Sequence, residues 1–329
     1  MLQYEEAPDP RPNSDEALVR VKACALNHLD VWARNGLPNV AIQMPHISGS
    51  DIAGTVEWVP PEETGFRKGD EVIVNPGVGC GHCERCLSGR DDQCSEYKII
   101  GYGTDGGYAE LVGVRRTHLV RKPAGMTFEE AASFPLVFET AYHMLVTKAG
   151  VGPGDTVLVL AANSGVGIAA VQIAKLLGAR VIATAGDKEK AEGARRLGAD
   201  FTIDHYKQNV LGEAKKLTGN RGVDVVVEHV GRATWEGSIK ALAKGGRLVT
   251  CGATTGADAI TDLRYVFSRE LTIYGSYMAG LAELLEVVKL FERGRLKTVV
   301  DSVFPLNQAG AAQARMERSM HFGKIVLKV

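Results

Sequence analysis

Hydrophobic and polar positions divide this chain into two textures. Before Thr127, short apolar runs alternate with polar residues and are interrupted by Pro and Gly. Ala17-Leu-Val-Arg-Val-Lys-Ala23, Gly54-Thr-Val-Glu-Trp-Val59, Glu71-Val-Ile-Val74 and Tyr108-Ala-Glu-Leu-Val112 are such runs. Apolar alternation between turn residues predicts short strands, and hence a loop-rich β-domain. From Thr127 the spacing becomes helical. Phe128-Glu-Glu-Ala-Ala opens one helix, and Thr140-Ala-Tyr-His-Met-Leu-Val continues the texture after Pro135.

Asp155-Thr-Val-Leu-Val-Leu160 then reads as a buried strand of the parallel type, followed by a tight turn and a helix from Ile168 to Leu177. Arg180-Val-Ile-Ala-Thr-Ala185 with the helix Lys188 to Leu197 repeats the unit, as does Ala199-Asp-Phe-Thr-Ile203 with a helix near Val210 to Leu217. Asp224-Val-Val-Val227, the helix Trp235 to Ala243, Arg247-Leu-Val-Thr-Cys251 and Leu271-Thr-Ile-Tyr274 complete the series. Strands alternating with helices predict right-handed βαβ units and a doubly wound parallel sheet, so the fold class is α/β. A further amphipathic helix, Ala282 to Arg293, and a terminal strand, Lys324 to Val329, are expected to return to the first domain. The domains so read are 1–137, 138–276 and 277–329.

Length and composition agree with this division. A chain of 329 residues exceeds what one hydrophobic core usually serves. At 45% hydrophobic with 38 glycines it is globular and turn-rich. The net charge of -1, with both signs interspersed, gives no basic face for nucleic acid. No apolar run reaches membrane-spanning length, and Met-Leu-Gln-Tyr-Glu-Glu is no signal peptide, so no membrane partner and a cytoplasmic location are expected.

Four of the six cysteines change the picture. Cys80, Cys83, Cys86 and Cys94 lie in one loop, 80–94, at spacings that fold four thiolates around one tetrahedral ion. One structural zinc, closed to solvent and to chemistry, is the reading. An iron–sulfur cluster is the rival, but its ferredoxin-type run ends C-x3-C-P, whereas Ser95 follows Cys94 here. Two disulfides are the remaining alternative. Cys24 and Cys251 sit alone in apolar segments and read as small buried hydrophobes.

Between the first strand and helix of the sheet runs Ala161-Ala-Asn-Ser-Gly165-Val-Gly167. Small residues there let backbone amides at a helix N-terminus approach a pyrophosphate. The segment keeps one glycine of the usual three, so its position between strand and helix carries the reading. Ser164, Gly165, Val166 and Gly167 are the candidate contacts. The second strand ends Ala183-Thr184-Ala185-Gly186 without the acidic residue that would select NAD. Thr184 and Lys190 are assigned to this end, with Lys188 nearby. The reading is NADP(H), with NAD(H) open because Asp187 is able to turn toward the ribose.

These motifs, with Val-Gln-Ile-Ala-Lys-Leu-Leu-Gly-Ala, Val-Val-Val-Glu-His-Val-Gly, Arg-Leu-Val-Thr-Cys-Gly and the closing Phe-Gly-Lys-Ile-Val-Leu, resemble the medium-chain dehydrogenase/reductase superfamily over nearly the whole chain. The resemblance implies an N-terminal chaperonin-10-like catalytic domain carrying the zinc loop, a Rossmann domain, and a C-terminal return. It implies hydride transfer between nicotinamide and a small-molecule carbonyl or activated alkene. It places His28 at the pyrophosphate, Thr140 under the nicotinamide, and Val230, Cys251, Gly252, Tyr277 and Met278 around the cofactor. His28 reads equally as a solvated surface histidine. His229 follows a strand end, and reads as a satisfied core histidine ahead of a lining for the cofactor groove. Family members open with a further strand before the match to Met1, so that strand is expected to be missing. The edge strand Leu271 to Tyr274 resembles the surface through which members form homodimers or homotetramers.

Zinc alcohol dehydrogenases of this family hold a second, catalytic zinc. This chain departs at each ligand: Asn27 stands for the first Cys, Ser50 of Gly49-Ser50-Asp51 for the His, and Leu136 or a neighbour for the second Cys. Asn, Ser and Leu make no useful zinc site. Asn27-x-x-Asp30 instead resembles the metal-free quinone oxidoreductase branch. The expected activity is NADP(H)-dependent hydride transfer to a quinone, enone or other activated alkene or carbonyl. Asn27 is the candidate donor to substrate oxygen, against a role tying down its loop, and Asn75 is a second substrate-facing candidate. Asp30 and Asp51 read as structural acids bonded to backbone. Two alternatives stay open: an alcohol or aldehyde dehydrogenase with unusual zinc ligands such as Asp51 with His46 or Glu139, and a non-catalytic NADPH-binding protein.

Overall fold

The structure, a computed structural model, describes residues 2–36, 42–62 and 65–329. Met1, where the expectation about an opening strand begins, lies outside the described residues. The elements run β1 (Glu16–Ala25), α1 (His28–Asn35), β2 (Asp51–Trp58), β3 (Glu71–Val74), β4 (Gly77–Val78), α2 (Glu84–Leu87), β5 (Lys98–Ile99), β6 (Leu111–Arg115) and β7 (Leu119–Arg121). Helices α3 (Phe128–Ala132) and α4 (Pro135–Tyr142) follow, the latter running into a π-helical stretch, His143–Lys148. Then come β8 (Thr156–Val159), α5 (Gly165–Leu176), β9 (Arg180–Ala185), α6 (Lys188–Arg196), β10 (Phe201–Asp204), α7 (Val210–Leu217) and β11 (Val223–Glu228). The chain closes with α8 (Arg232–Ala241), β12 (Leu242–Thr250), α9 (Leu263–Ser268), β13 (Thr272–Gly275), α10 (Leu281–Glu292), β14 (Val300–Pro305), α11 (Ala309–Glu317) and β15 (Lys324–Lys328).

The chain divides into two units, Met1–Leu136 with Gly280–Val329, and Val137–Ala279. In the first, a seven-stranded sheet among the described residues runs β14-β15-β1-β2-β3-β7, with β6 also pairing β1. Every pairing is antiparallel except β14 with β15. Alternate residues of β1 point into its core, where Val19 and Val21 meet Val56, Val72 and Val112. The register sets Ala25 opposite both Val326 and Asp51, which gathers the end of β1 and the starts of β2 and β15 at one place.

The run Tyr108 to Val112 is not a strand from its start: β6 begins at Leu111. The Tyr108 backbone N–H goes to Ser48 O at 2.9 Å and its hydroxyl to Asp30 at 3.0 Å, so local side-chain and turn bonds displace ladder pairing there.

In the second unit a six-stranded parallel sheet has the order β10-β9-β8-β11-β12-β13. Relabelled from its own first strand this is 3-2-1-4-5-6, the dinucleotide-binding order. Leu158, Ile182, Val226 and Leu248 fill its core. Tyr277 and Met278, read from sequence with the returning segment, belong to this unit. The Ser276 N–H bonds Thr250 O at 2.8 Å, extending the pairing of β13 past its last strand residue.

Candidate active site and metal loop

The cysteine loop is built for a tetrahedral ion. The four Sγ atoms lie within 4.8 Å of one another, with Cys80 to Cys86 at 3.9 Å and Cys83 to Cys86 at 3.6 Å. Tetrahedral Zn–S bonds of about 2.3 Å place sulfurs about 3.8 Å apart, so the residues present fit a four-coordinate zinc. Backbone N–H groups turn toward the sulfurs: Cys83 to Cys80 at 3.3 Å, and Cys80 and Glu96 to Cys94, each at 3.4 Å. The His82 backbone N–H holds the Cys80 thiol down at about 6, whereas burial pushes Cys86 up to about 12. A bound dication would hold all four as thiolates. Arg115 fixes the loop from outside by donating to Gly79 O and Cys80 O, each at 2.9 Å.

Elsewhere in the first unit, the shared register of β1, β2 and β15 assembles a buried polar cluster. Lys324 Nζ donates to Asn27 Oδ1 at 2.6 Å and to Asp51 Oδ2 at 2.9 Å. Asn27 Nδ2 donates to the same Asp51 oxygen at 2.9 Å, and the Leu136 backbone N–H donates to Asp51 Oδ1 at 2.8 Å. Asn27, Asp51 and Lys324 are 7%, 0% and 5% exposed, so these bonds form away from water. A buried pair of this kind costs about 3–5 kcal/mol to break from one side. Ser50 is fully buried, and its Oγ has no hydrogen-bond partner among the described residues.

Asp30 borders this cluster. Its Oδ2 accepts from the Asn27 backbone N–H at 2.8 Å and from the Tyr108 hydroxyl at 3.0 Å, while Oδ1 has no hydrogen-bond partner among the described residues. Burial pushes its carboxyl up to about 6 against an ordinary 3.8. Both acids are bonded to backbone N–H groups, as read from the sequence. Asn75 is also buried, donating to Gly77 O at 2.8 Å, and its Oδ1 has no partner among the described residues. His28 opens α1 with its ring tilted over Trp32 at 6.5 Å. Lys324 and Tyr108 were missed in the sequence. Lys324 opens the apolar strand β15, and a lysine at a strand's start carries no local sign of burial.

In the second unit the parallel strands bring their C-terminal ends to one edge of the sheet. The turn 161–167 follows β8, Thr184 lies near the end of β9 with Lys190 in the first turn of the helix α6 that follows, and Val230 follows β11. Cys251 and Gly252 follow β12, and Tyr277 and Met278 follow β13. This is the edge where doubly wound sheets take ligands.

The turn after β8 fits a pyrophosphate. A Cβ on Gly167 would sit 2.4 Å from Ala161 O and 2.7 Å from the Ala162 Cα, so only glycine lets the backbone fold this closely. Ser164 caps α5 by accepting the Gly167 N–H at 3.0 Å, and the Gly165 and Val166 N–H groups occupy the helix's unpaired first turn. Thr184 braces the turn: Oγ1 accepts from Ala161 N and its carbonyl from Ala162 N, both at 2.9 Å.

Neighbouring groups complete the edge. Glu228 is fully buried and accepts from the Val230 and Gly231 N–H groups, Thr234 and Ser238. His229 is half-buried and donates to Leu160 O at 2.9 Å, with its pKa lowered by burial. Burial pushes the Cys251 thiol up to about 12, which makes it a poor nucleophile. Thr140 Oγ1 is buried without a hydrogen-bond partner among the described residues, which suits a polar cofactor group. Tyr277 is 57% exposed, while Met278 is buried with φ of 55°. At the end of β9, Asp187 caps α6 by accepting the Lys190 N–H at 2.8 Å, and the Lys190 ammonium lies 3.3 Å from its other oxygen.

The chain matches two family profiles: "Alcohol dehydrogenase GroES-like domain" over residues 13–124 and "Zinc-binding dehydrogenase" over residues 165–293. It is 33% identical to an NAD-dependent alcohol dehydrogenase of Saccharolobus solfataricus, covering 99% of this chain and 96% of that one. It is also 33% identical to an acryloyl-coenzyme A reductase of Sulfurisphaera tokodaii, covering 99% and 96%. Among solved structures, an NAD-dependent alcohol dehydrogenase superposes with a TM-score of 0.95 at 47% identity, covering 99% of this chain and 95% of that one.

Proposed function

Because this chain belongs to the medium-chain dehydrogenase/reductase superfamily and is an oxidoreductase of that kind, we propose that it transfers hydride from NADPH to a quinone, enone or enoyl thioester without a catalytic metal. The observation that carries this reading is the Asn27–Asp51–Lys324 cluster. Both Asp51 oxygens and both ends of the Asn27 amide are already bonded within the protein. His46 is likewise engaged, with Nε2 at 2.9 Å from Gly101 O. The unusual ligand set of Asp51 with His46 is therefore disfavoured.

The nicotinamide dinucleotide, when bound, supplies the hydride. The turn 161–167 and the first amides of α5 would hold its pyrophosphate, and Thr140 Oγ1 would meet a polar group of the cofactor. The four cysteines would hold one structural zinc, which organises the loop and takes no part in the reaction. Hydride addition to a conjugated alkene moves negative charge onto the carbonyl oxygen, where a fixed N–H donor is worth most. Asn27 retains one Nδ2–H beyond its bond to Asp51, and we assign that donor to the substrate oxygen.

For the cofactor, the Asp187 carboxylate is committed to capping α6 and pairing Lys190, which supports NADP(H) over NAD(H). β13 lies at the edge of the sheet with Ile273 38% exposed, which supports a homodimer or homotetramer. Among the described residues no helix is long and apolar enough to cross a membrane.

The test is initial-rate kinetics on a panel of quinones, conjugated enones and enoyl thioesters with NADPH and NADH, beside alcohols with NADP and NAD. Faster turnover of the activated alkenes or quinones with NADPH is expected. Zinc-dependent alcohol oxidation as the dominant activity would overturn the reading, and cofactor binding without any turnover would leave only a binding function.

A further inference from the structure

The fold decides which way the Asn27 carboxamide points. Its Oδ1 is 2.6 Å from the Lys324 ammonium, and its Nδ2 is 2.9 Å from Asp51 Oδ2. An ammonium has donors and no acceptor, while a carboxylate has acceptors and no donor. Reversing the amide would face NH2 to the ammonium and C=O to the carboxylate, two repulsive contacts in a place where Lys324 is 5% and Asp51 0% exposed. The two charges also neutralise each other at 2.9 Å, so the clamp carries no uncompensated charge.

We infer that Lys324 is a positioning residue for hydride transfer: with Asp51 it holds the Asn27 carboxamide so that its remaining N–H, and never its C=O, is presented to the substrate. This rests on the reading of Asn27 as the donor to substrate oxygen. It deepens that reading by naming what the site accepts. The ligand atom meeting Asn27 must be an acceptor, such as a carbonyl or enolate oxygen, and a ligand presenting only N–H there is rejected. The clamp reaches Asn27 through sheet register: β15 pairs β1 with Val326 opposite Ala25, which sets Lys324 beside the end of the strand that leads into Asn27.

Three variants test this. Lys324→Arg keeps a donor-only cation and is expected to keep most of kcat. Lys324→Met alone strands a buried carboxylate and is prone to misfold, so the informative variant is the neutral pair Lys324→Met/Asp51→Asn. With folding and NADPH affinity retained, it is expected to lose about a hundredfold in kcat, the scale of one lost oxyanion donor, with little change in substrate KM. Adding Asn27→Ala to the pair should cost little more, because the clamp acts only through Asn27. A folded double variant with kcat within about twofold of wild type, or a full further loss on adding Asn27→Ala, would overturn the inference.

A second readout needs no turnover. The two Asn27 side-chain amide protons, assigned by their loss in Asn27→Ala, should exchange with deuterium at distinct rates in wild type and at converging rates in the double variant. If wild type reduces none of the panel substrates while this exchange pattern holds, the functional reading fails and the clamp stands. Equal exchange in wild type would sink the clamp itself.

Discussion

Asp91, in the cysteine loop, caps the returning helix α10: its two carboxylate oxygens lie 3.2 and 3.3 Å from the backbone nitrogen of Leu281. Gly280 makes room, since a Cβ there would fall 2.6 Å from Asp91 Oδ1. An acid at a helix N-terminus satisfies an amide the helix cannot. A loop built on four cysteines therefore also anchors a helix nearly two hundred residues later, the separation being 190.

Removal of zinc by a chelator is accordingly expected to expose amides 281–284 together with those of loop 80–94. Hydrogen exchange read by mass spectrometry checks this, and full protection at the start of α10 after the loop has opened would contradict it. Asp91→Ala should destabilise the zinc-bound protein by about 1 kcal/mol, the usual cost of a lost cap.

Asp30 gives the stability a definite pH dependence. Its carboxyl is raised to about 6 by burial, against 3.8 for an exposed aspartate, so the native state binds this proton more tightly than the unfolded chain. Its contribution is full below about 3.8 and is lost as pH rises through about 6. At about 1.4 kcal/mol per unit the change amounts to about 3 kcal/mol. Asp30→Asn removes this slope, so its stability relative to wild type should improve between pH 4 and pH 7. Denaturant midpoints of the two proteins that run parallel across that window would refute the assignment.

Gly167→Ala tests the cofactor turn. The new methyl would strike the Ala161 carbonyl and the Ala162 Cα, both backbone, so the turn must shift. The expected outcome is about a tenfold or greater rise in the NADPH dissociation constant, with a stability loss of about 1–3 kcal/mol. Fluorescence titration measures the first. Unchanged affinity would mean the pyrophosphate does not rest there.

Asp187→Asn addresses cofactor choice. Asn caps a helix as well as Asp does, so α6 should be intact. If the carboxylate is only a cap, the KM for NADH stays within about twofold of wild type. A large rise in that KM would show that Asp187 grips the ribose, and would favour NAD(H).

Local signals made much of this legible. The four cysteines, the turn after β8 and the strand–helix alternation each lie within a few tens of residues, and each appears in the structure close to where the pattern put it. Asn27 and Gly49-Ser50-Asp51 could be singled out because they stand where metal ligands are expected. Lys324 could not. Its bond to Asn27 spans 297 positions, and a lysine opening an apolar strand gives no sign that it is buried. Tyr108 is ambiguous for a related reason: alternation around it resembles a strand, yet its hydroxyl is committed to Asp30, 78 residues away. β12 starts at Leu242, ahead of the expected strand Arg247 to Cys251, and its register with β11 shifts between Leu242 and Arg247. What stayed hidden was long-range pairing, which no periodicity encodes.

The most direct test of metal-free chemistry is the zinc content of protein purified without added metal or chelator, by elemental analysis against chain concentration. One zinc per chain, retained in the Asn27→Ala variant, is the expected result and assigns the metal to the cysteine loop. Two zinc ions per chain, one of them lost on changing Asn27 or Asp51, would contradict the proposal and make alcohols and aldehydes the first substrates to try.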